Sequence, residues 1–363
     1  MTPDPGLASW LQLTLTPGIG PATLRSLLRE LGLPQAILDR RRSELARFVD
    51  AAPLQALDSA PVRAAVERTL AWAAQPGRAV ITLADATYPR ALLEIADPPA
   101  LLYAHGNVKL LQRPALAVVG SRNATAQGES NAESFARTLS DAGLTIVSGL
   151  ALGIDAAAHR GGLAGASSTV AVLGTGIDVI YPRRNAALAE EIAARGVIIS
   201  EFPLGTAAAA GNFPRRNRLI SGLARGCLVV EAALASGSLI TARCAADQGR
   251  EVFAIPGSIH SPFSKGCHAL IKNGTKLVES AEDVLAELSG FQASGYASTA
   301  RAAAPASGLL AHMGHDPVDV DFLCTRAGLS AEQVSSELLR LELDGRITAL
   351  PGGLYQRLEK GSG

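Results

Sequence analysis

The sequence is organised around one segment, Leu116-Ala117-Val118-Val119-Gly120-Ser121-Arg122, in which four apolar residues end in a glycine, a serine and an arginine. Other apolar segments end in the same way. Residues 145–148 run into Gly149, residues 169–173 into Gly174-Thr175-Gly176, and residues 228–231 lead to Ser236-Gly237-Ser238. Continuous apolar strands bounded by glycine and serine are typical of a parallel sheet that is buried on both faces.

Nine apolar segments alternate with helical stretches between residues 78 and 290. Because a helix that joins two parallel strands makes a right-handed crossover, the alternation predicts an α/β fold with an extended Rossmann-like, doubly wound parallel sheet. Such sheets bind ligands beyond the carboxyl ends of their strands. The predicted strands are residues 79–83, 101–104, 116–119, 145–148, 169–173, 197–200, 228–231, 251–254 and 276–278.

Small residues at these strand ends predict sites for anions, because they leave backbone amides accessible at helix N-termini. Four such ends at one edge of a sheet could hold several phosphates in a row. A single mononucleotide pocket and tight turns without a ligand are the alternatives. Gly174-Thr175-Gly176 is half of a dinucleotide fingerprint, but Val179 stands where the third glycine belongs. The chain has no GxxxxGK[ST] loop, which excludes a P-loop NTPase.

The run Phe213-Pro214-Arg215-Arg216-Asn217-Arg218 places three arginines and an aromatic ring on a predicted loop, with the next helix starting near Leu219. The chain as a whole is neutral, with 33 basic and 33 acidic residues, so any anion site must be local. Arginine grips phosphate through two hydrogen bonds, and an aromatic ring gives a base a surface to stack on. The run favours a single-stranded nucleic acid as the partner.

Two smaller units flank the predicted sheet domain at 78–290. Residues 1–77 are helical in pattern, and Pro17-Gly18-Ile19-Gly20 before a helix resembles a SAM or helix-hairpin-helix element; an ordinary turn between packed helices is the alternative. Residues 291–307 have the alanine, serine and glycine content of a flexible linker. Residues 308–363 predict a winged helix whose second helix is acidic, which favours a protein contact over duplex binding.

Other classes of site find little support. The four cysteines have neither metal-type nor disulfide-type spacing, so we expect no metal and no cofactor. The isolated histidines His105 and His159 are interpreted as structural. The chain lacks a leader and an apolar run of spanning length, which predicts a cytoplasmic protein without a membrane partner.

With these motifs in order, the sequence resembles the DprA/Smf family, the bacterial DNA-processing protein A. The resemblance covers residues 80–290, and the terminal units match in type and order. The motifs that carry it are Tyr88-Pro89, Asp97-Pro98-Pro99, Val119-Gly120-Ser121-Arg122, Ser148-Gly149-Leu150-Ala151, Gly153-Ile154-Asp155, Gly176-Ile177-Asp178, Tyr181-Pro182, Ser200-Glu201, the run 213–218, Ser236-Gly237-Ser238 and Pro256-Gly257.

The resemblance implies a protein that binds single-stranded DNA without catalysis. Family members protect incoming single strands during natural transformation and help to load the RecA recombinase. It further implies a homodimer through the Rossmann domain and contacts with other single-stranded-DNA-binding proteins. Several members have a lysine before the Phe-Pro pair; here that backbone contact is either missing or supplied by Arg183 or Arg184. The implied DNA-binding residues are Ser121, Arg122, Ser148, Gly149, Arg183, Arg184, Phe213, Arg215, Arg216, Asn217, Arg218, Ser236, Gly237 and Ser238.

Two competing functions stay open. The first is an enzyme acting on nucleoside monophosphates, with Glu201 and Glu231 at strand ends as acid and base. The sequence lacks the Pro-Gly-Gly-x-Gly-Thr loop that such enzymes use, and both carboxylates could instead accept backbone hydrogen bonds or pair with arginines. The second is a transcription regulator that uses the winged helix, against which the acidic second helix argues.

Overall fold

The computed structural model describes residues 5–288, 308–314 and 317–358, so the predicted linker at 291–307 lies outside the described residues. Within these ranges the α-helices are α1 (Pro5–Leu15), α2 (Pro21–Leu31), α3 (Pro34–Leu38), α4 (Arg42–Leu45), α5 (Ala51–Ala56), α6 (Ala60–Ala73), α7 (Ala126–Asp141), α8 (Ile154–Ala164), α9 (Ala186–Arg195), α10 (Asn212–Leu223), α11 (Ser238–Asp247), α12 (Lys265–Lys272), α13 (Ala281–Glu287), α14 (Val320–Ala327) and α15 (Ala331–Leu343). The strands are β1 (Arg78–Thr82), β2 (Leu101–Gly106), β3 (Ala115–Gly120), β4 (Thr145–Ser148), β5 (Thr169–Val172), β6 (Val197–Ser200), β7 (Gly226–Val230), β8 (Glu251–Ala254), β9 (Lys276–Leu277), β10 (Val318–Asp319), β11 (Ile347–Leu350) and β12 (Leu354–Arg357).

A nine-stranded sheet forms the centre of the molecule, in the order β1-β2-β6-β5-β4-β3-β7-β8-β9. The seven strands from β3 to β9 pair in parallel, which confirms the wound, Rossmann-like sheet. From β3 the chain winds outward through β4, β5 and β6, and then returns to the other side of β3 as β7. The strand order therefore reverses beside β3, where sheets of this class open a ligand crevice.

The expectation of a wholly parallel sheet is wrong at one edge. Strand β2 pairs antiparallel with β6, and β1 pairs antiparallel with β2. The connection between β1 and β2 contains only a short 3-10 turn, Arg90–Glu94, and no crossover helix. Parallel neighbours are usually joined by a helical crossover, so the missing helix between β1 and β2 agrees with their antiparallel pairing.

Both faces of the sheet are buried, as the continuous apolar strands predict. Along β3, Ala117 and Val119 enter a core with α10 and α11, while Leu116 and Val118 enter a second core with α7 and α8. This alternation follows from the two-residue period of side chains along a strand. The apolar runs of the sequence thus supply two cores at once.

The N-terminal helices share a core with the sheet. Buried side chains of α1, α2 and α6 pack in one cluster with Leu101, Tyr103 and Ile198 of β2 and β6. The rings of Trp72 and Tyr103 meet edge to face, with centroids 5.9 Å apart. The turn between α1 and α2 contains Gly18 at a φ of +87°; its contact with phosphate stays a prediction.

The C-terminal unit is a winged helix with a separate core of its own. Gly328 ends α14 in the left-handed conformation, and Ser330 begins α15 with a reciprocal capping box to Gln333. Strands β11 and β12 form the predicted wing, and the two-residue β10 adds a third strand. Leu323, Val334 and Leu338 fill the space between the helices.

Candidate nucleic-acid interface

A crevice of about 580 Å³ opens at the carboxyl edge of the sheet, beside β3. The loops after β3 and β7 diverge there because the strand order reverses. Its walls come from these two loops and from the first turns of α8, α10 and α11. They include Gly120, Ser121, Arg122, Asn123, Asp155, Phe213, Asn217, Ser236, Gly237, Ser238 and Thr241.

Two glycines fix the loop after β3. A Cβ atom on Gly120 would lie 1.8 Å from a carbonyl oxygen of β7, so only glycine fits where the two strands end side by side. Gly153 has a φ of +69°, and a Cβ atom there would lie 2.4 Å from the carbonyl oxygen of Ser121. That oxygen also accepts a hydrogen bond of 3.1 Å from the N–H of Ile154. The loop is anchored at Ser121, and Arg122 extends from it into solvent.

The arginine run at 213–218 forms the first turns of α10 and not a loop. The predicted helix start near Leu219 is wrong, because α10 begins at Asn212. Pro214 is compatible with this start. The N–H groups of the first helical turn have no acceptor within the helix, so a proline there costs no hydrogen bond. Successive residues of a helix point about 100° apart. Arg216 therefore points away from Arg215 and Arg218, which lie three positions apart on one side of the helix.

Arg216 points into the protein and is 4 % exposed. Its guanidinium donates to the carbonyl oxygen of Gly149, at 2.5 Å, and to that of Val172. Burial lowers the pKa of Arg216 to about 10, an effect that the nearby Asp155 carboxylate opposes. The structure gives Arg216 internal partners at the base of the crevice that it also lines, and its contact with DNA stays a prediction.

Arg215 and Arg218 share one buried carboxylate. Oε2 of Glu201 accepts a hydrogen bond of 2.6 Å from Arg218 and one of 3.2 Å from Arg215. Nε of Arg218 also lies 3.3 Å from the Asp97 carboxylate. Burial raises the pKa of Glu201, and the two arginines act in the opposite direction. The side chain of Arg218 is only 13 % exposed and serves the fold, whereas that of Arg215 is 44 % exposed.

Phe213 lies at the centre of a small cluster on the crevice wall. The guanidinium carbon of Arg122 is 5.5 Å from the centroid of its ring, and the ring of Tyr181 is 5.8 Å away. A Cβ atom on Gly174 would lie 2.9 Å from the same ring, so this glycine allows the close packing. No ion pair of Arg122 is found in the described part of the chain. Arg122 is thus available to an anionic ligand.

Ser148 and Gly149 do not reach the crevice surface. The Ser148 side chain is fully buried, and its hydroxyl donates to the carbonyl oxygen of Val118 at 2.7 Å. The N–H of Gly149 donates to Oδ2 of Asp155 at 3.1 Å. Burial raises the pKa of Asp155, which the Arg216 charge and these backbone hydrogen bonds oppose. Neither residue lines the crevice, and their direct contacts with DNA stay a prediction.

The remaining predicted residues divide between the crevice and its surroundings. The hydroxyls of Ser236 and Ser238 lie 2.7 Å apart at the loop after β7, and Nδ2 of Asn217 lies 3.4 Å from the carbonyl oxygen of Gly237. Arg183 and Arg184 are exposed on a 3-10 turn that does not line the crevice. The structure therefore separates these two arginines from the main group.

Sequence reasoning missed Asn123, Asp155, Thr241 and Tyr181 as residues of this surface. The first three approach the crevice only through the packing of loops and helices. Tyr181 was detectable, because it is an aromatic residue two positions before a pair of arginines. We interpreted its Tyr-Pro pair only as a family motif.

The carboxylates considered as acid and base are both engaged by neighbours. Glu231 accepts hydrogen bonds from the N–H of Thr125, at 2.9 Å, and from its hydroxyl, at 2.5 Å, at the start of α7. Burial raises the pKa of Glu231. Glu201 holds Arg215 and Arg218, as described above. Both carboxylates thus have the partners that the alternative interpretation predicts: arginines for Glu201, and a backbone N–H and a hydroxyl for Glu231.

The exposed part of α15 is acidic. It carries Glu332, Glu337 and Glu342, and its arginine, Arg340, pairs with Glu337 at 2.5 Å. A helix of this charge repels the phosphate backbone of a duplex. The charge of α15 therefore agrees with the expectation that this helix does not enter a DNA groove, which stays a prediction.

The described residues contain no group of three or more histidine, cysteine, aspartate or glutamate side chains that could hold a metal ion. They also contain no helix with the length and apolarity needed to cross a bilayer.

Comparison with known families supports one assignment for both large units. Residues 79–289 match the model of the family described as DNA recombination-mediator protein A, and residues 293–353 match the DprA winged helix domain. Protein Smf of Escherichia coli K12 is 45% identical over 308 residues, which cover 82% of each chain. DNA processing protein DprA of Streptococcus pneumoniae is 49% identical over 206 residues, which cover 57% of this chain and 73% of that protein.

Two solved structures are also similar. The X-ray structure of DprA from Streptococcus pneumoniae has a TM-score of 0.68 at 37% identity, and the match covers 78% of this chain and 98% of that one. DprA from Helicobacter pylori, whose structure is described for its single-stranded DNA binding mode, has a TM-score of 0.52 at 31% identity. That match covers 56% of this chain and 93% of the other.

Proposed function

This chain belongs to the DNA-processing protein A (DprA/Smf) family, and from that premise we propose that it binds single-stranded DNA along the crevice beside β3, without catalysis. The observation that carries the proposal is Arg122. It is exposed on an anchored loop at the mouth of the crevice, over the ring of Phe213, with no ion pair in the described part of the chain. An unneutralised guanidinium held beside an aromatic ring suits a phosphate that is followed by a base.

The surrounding groups support a strand and not a single nucleotide. Arg215 remains 44 % exposed although it contacts Glu201, and its guanidinium lies 5.2 Å from the ring of Phe202. Ser236 and Ser238 add hydroxyl groups on the opposite wall. Amides, hydroxyls and arginines bind phosphate without reading bases, so we expect little sequence preference.

In the cell, we propose that the protein protects incoming single strands during natural transformation and helps to load the RecA recombinase. This part rests on membership of the family. A homodimer through the sheet domain, contacts with other single-stranded-DNA-binding proteins and a cytoplasmic location belong to the same proposal. The acidic face of α15 supports a protein contact for the winged helix.

A gel shift with labelled oligo-dT and a duplex of the same length, at two salt concentrations, tests the binding mode. We expect oligo-dT to bind more tightly than the duplex. Its affinity should fall with salt by about 0.7 log units per log unit of salt for each phosphate neutralised. A flat salt profile, or tighter binding to the duplex, would contradict the proposal.

The absence of catalysis has its own test. Incubation with AMP, CMP or short oligonucleotides should release no base, phosphate or shortened strand. Support for the proposal comes from the engagement of Glu201 and Glu231 by arginines and by the start of α7. Turnover by the wild type that disappears in Glu201→Gln or Glu231→Gln would show that the protein is an enzyme and would contradict the proposal.

A further inference from the structure

The aromatic ring most open to a base at this surface is that of Tyr181, which is 49% exposed. Phe213, the ring singled out in the sequence, is more enclosed. It packs against Gly174, lies under the Arg122 guanidinium and meets Tyr181 at a centroid distance of 5.8 Å and an angle of 41°. Phe213 therefore supports the cluster from inside, while Tyr181 forms its outer surface.

The segment that carries Tyr181 is firmly attached to the sheet. Nδ2 of Asn185 donates to the carbonyl oxygens of Leu150 and Ala151, at 2.9 and 3.0 Å, in the loop after β4. The hydroxyl of Thr175 donates to the carbonyl oxygen of Val179 at 2.6 Å. These contacts fix the segment on both sides of Tyr181. The residue therefore loses little conformational freedom when a ligand stacks on its ring.

The charges beside Tyr181 suit an anionic chain. Arg183 and Arg184 are both exposed on the turn that follows it. The nearby acidic group is Asp178, and its carboxylate already accepts hydrogen bonds from the N–H of Gly205, at 2.8 and 3.0 Å. No ion pair of Arg183 or Arg184 is found among the residues that the structure describes.

We propose that Tyr181 is the stacking surface for a nucleobase of the bound strand, in a second subsite outside the crevice, and that Arg183 and Arg184 contact the adjoining phosphates. The inference rests on the proposed binding of single-stranded DNA. It adds Tyr181 as a stacking residue and gives the direction in which the bound strand leaves the crevice. The strand leaves the crevice past Arg122 and Phe213 and continues over Tyr181, toward the side of β5 and β6. Every base has a π-face, so this subsite does not select a sequence.

The test compares Tyr181→Leu and Tyr181→Phe with the wild type on two ligands of equal length, oligo-dT and a deoxyribose-phosphate chain without bases. Leucine keeps the apolar bulk and removes the π-face, whereas phenylalanine keeps both. We expect Tyr181→Leu to lose about fivefold to a hundredfold in affinity for oligo-dT and nothing for the abasic chain. Tyr181→Phe should bind both ligands like the wild type.

Phe322 provides a matched control. It is a 44 % exposed aromatic residue in the winged helix, with Arg326 5.6 Å from its ring, so it repeats the pairing of ring and arginine elsewhere in the molecule. Phe322→Leu should bind oligo-dT like the wild type. An equal loss in Phe322→Leu, or an equal loss on both ligands in Tyr181→Leu, would overturn the inference.

Photocrosslinking of the wild-type protein avoids any effect of substitution on folding. An oligo-dT containing 5-iodouracil, irradiated in the complex, should crosslink to the peptide that contains Tyr181. A crosslink confined to the Phe213 peptide would overturn the stacking role of Tyr181. Failure of the wild type to bind oligo-dT at all would instead refute the proposed function itself.

Discussion

At the scale of single residues, four arginines near the crevice differ because of what surrounds them. Arg122 is exposed and has no ion pair in the described part of the chain, and Arg215 is half exposed beside Glu201. Arg216 is enclosed by carbonyl oxygens, and Arg218 is held between Glu201 and Asp97. Composition and clustering do not distinguish them, since all four residues carry the same charge. Burial and partners decide which of them can meet a ligand.

Arg122→Ala should weaken binding of single-stranded DNA and leave stability unchanged. The substitution removes one charge-assisted contact of about 1.5–3 kcal/mol, which corresponds to roughly a tenfold to hundredfold loss in affinity. Lysine should restore only part of the loss because it cannot make the two-pronged contact. Gel shifts and thermal unfolding of the three proteins provide the measurement. Normal binding by Arg122→Ala would show that the contact does not exist.

Arg218→Ala should have the opposite pattern. Glu201 is 3 % exposed and would keep only Arg215 as a partner, so we expect a loss of about 1–3 kcal/mol in the free energy of unfolding. Any weakening of DNA binding should accompany this loss. Denaturant unfolding and a gel shift on the same variant distinguish a structural role from a DNA contact. A variant of normal stability with strongly reduced affinity would show that Arg218 contacts DNA.

His159 predicts a pH dependence of stability. The ring is fully buried, and burial, aided by the Arg216 charge, lowers its pKa from 6.5 to about 3. Between these values the unfolded chain binds a proton that the folded chain does not. The contribution of His159 is therefore complete above pH 6.5 and declines by up to about 1.4 kcal/mol per pH unit as the pH falls toward 3. Urea unfolding of His159→Gln at pH 7, 6, 5 and 4 should show a shallower decline than the wild type; parallel declines would contradict this.

At the scale of elements, the start of α10 decides the roles of its arginines. Since the helix begins at Asn212, Arg215 and Arg218 lie three positions apart on one side of it and both reach Glu201, whereas Arg216 points to another side. A loop, as the sequence suggested, would have left all three free to turn toward a ligand. Arg216 instead donates hydrogen bonds to the carbonyl oxygens of Gly149, just after β4, and Val172, at the end of β5.

Arg216→Leu and Arg215→Ala should therefore separate stability from binding on one helix. Arg216→Leu leaves two carbonyl oxygens without a donor and Asp155 without its nearby cation, so we expect a loss of about 3 kcal/mol or more. Arg215→Ala should unfold like the wild type and bind single-stranded DNA more weakly. Thermal unfolding and gel shifts on the pair give the comparison. A stable Arg216→Leu variant would mean that its internal contacts matter little.

At the scale of the whole molecule, the two flanking units relate differently to the sheet. The N-terminal helices share a core with β2, β5 and β6, which includes Leu101, Tyr103 and Ala171. The winged helix buries its own apolar residues in a separate core. The first unit is thus part of the apolar core of the sheet, whereas the second has its own apolar core and touches the sheet domain where β12 meets α7.

Deletions should reveal this difference. Removal of residues 1–77 exposes the shared apolar face, so we expect a protein that aggregates or unfolds at a much lower temperature. Removal of residues 309–363 should leave both the melting temperature of the rest and its affinity for oligo-dT close to those of the full chain. Light scattering, thermal unfolding and gel shifts measure these outcomes. A well-folded chain that lacks residues 1–77 would contradict the shared core.

The sequence by itself determined the elements and the place of the site. Continuous apolar segments such as 145–148 and 197–200 coincide with β4 and β6, because a strand buried on both faces needs no polar positions. Gly120-Ser121 at the end of β3 and Ser236-Gly237-Ser238 in the loop after β7 indicated the edge of the sheet at which the crevice lies. Gly328 and the N-cap Ser330, which lie between α14 and α15, predicted the helix-turn-helix of the winged helix from local backbone chemistry.

The tertiary structure alone decided the antiparallel edge at β1 and β2, the inward turn of Arg216, the pairing of Arg218 with Glu201 and the exposure of Tyr181. Each depends on contacts between residues far apart in the chain, such as Arg216 with Gly149 or Tyr181 with Phe213. Local sequence specifies backbone preference and polarity, but not which distant group lies opposite a side chain. The roles of the arginines and aromatic residues at the crevice follow from that packing.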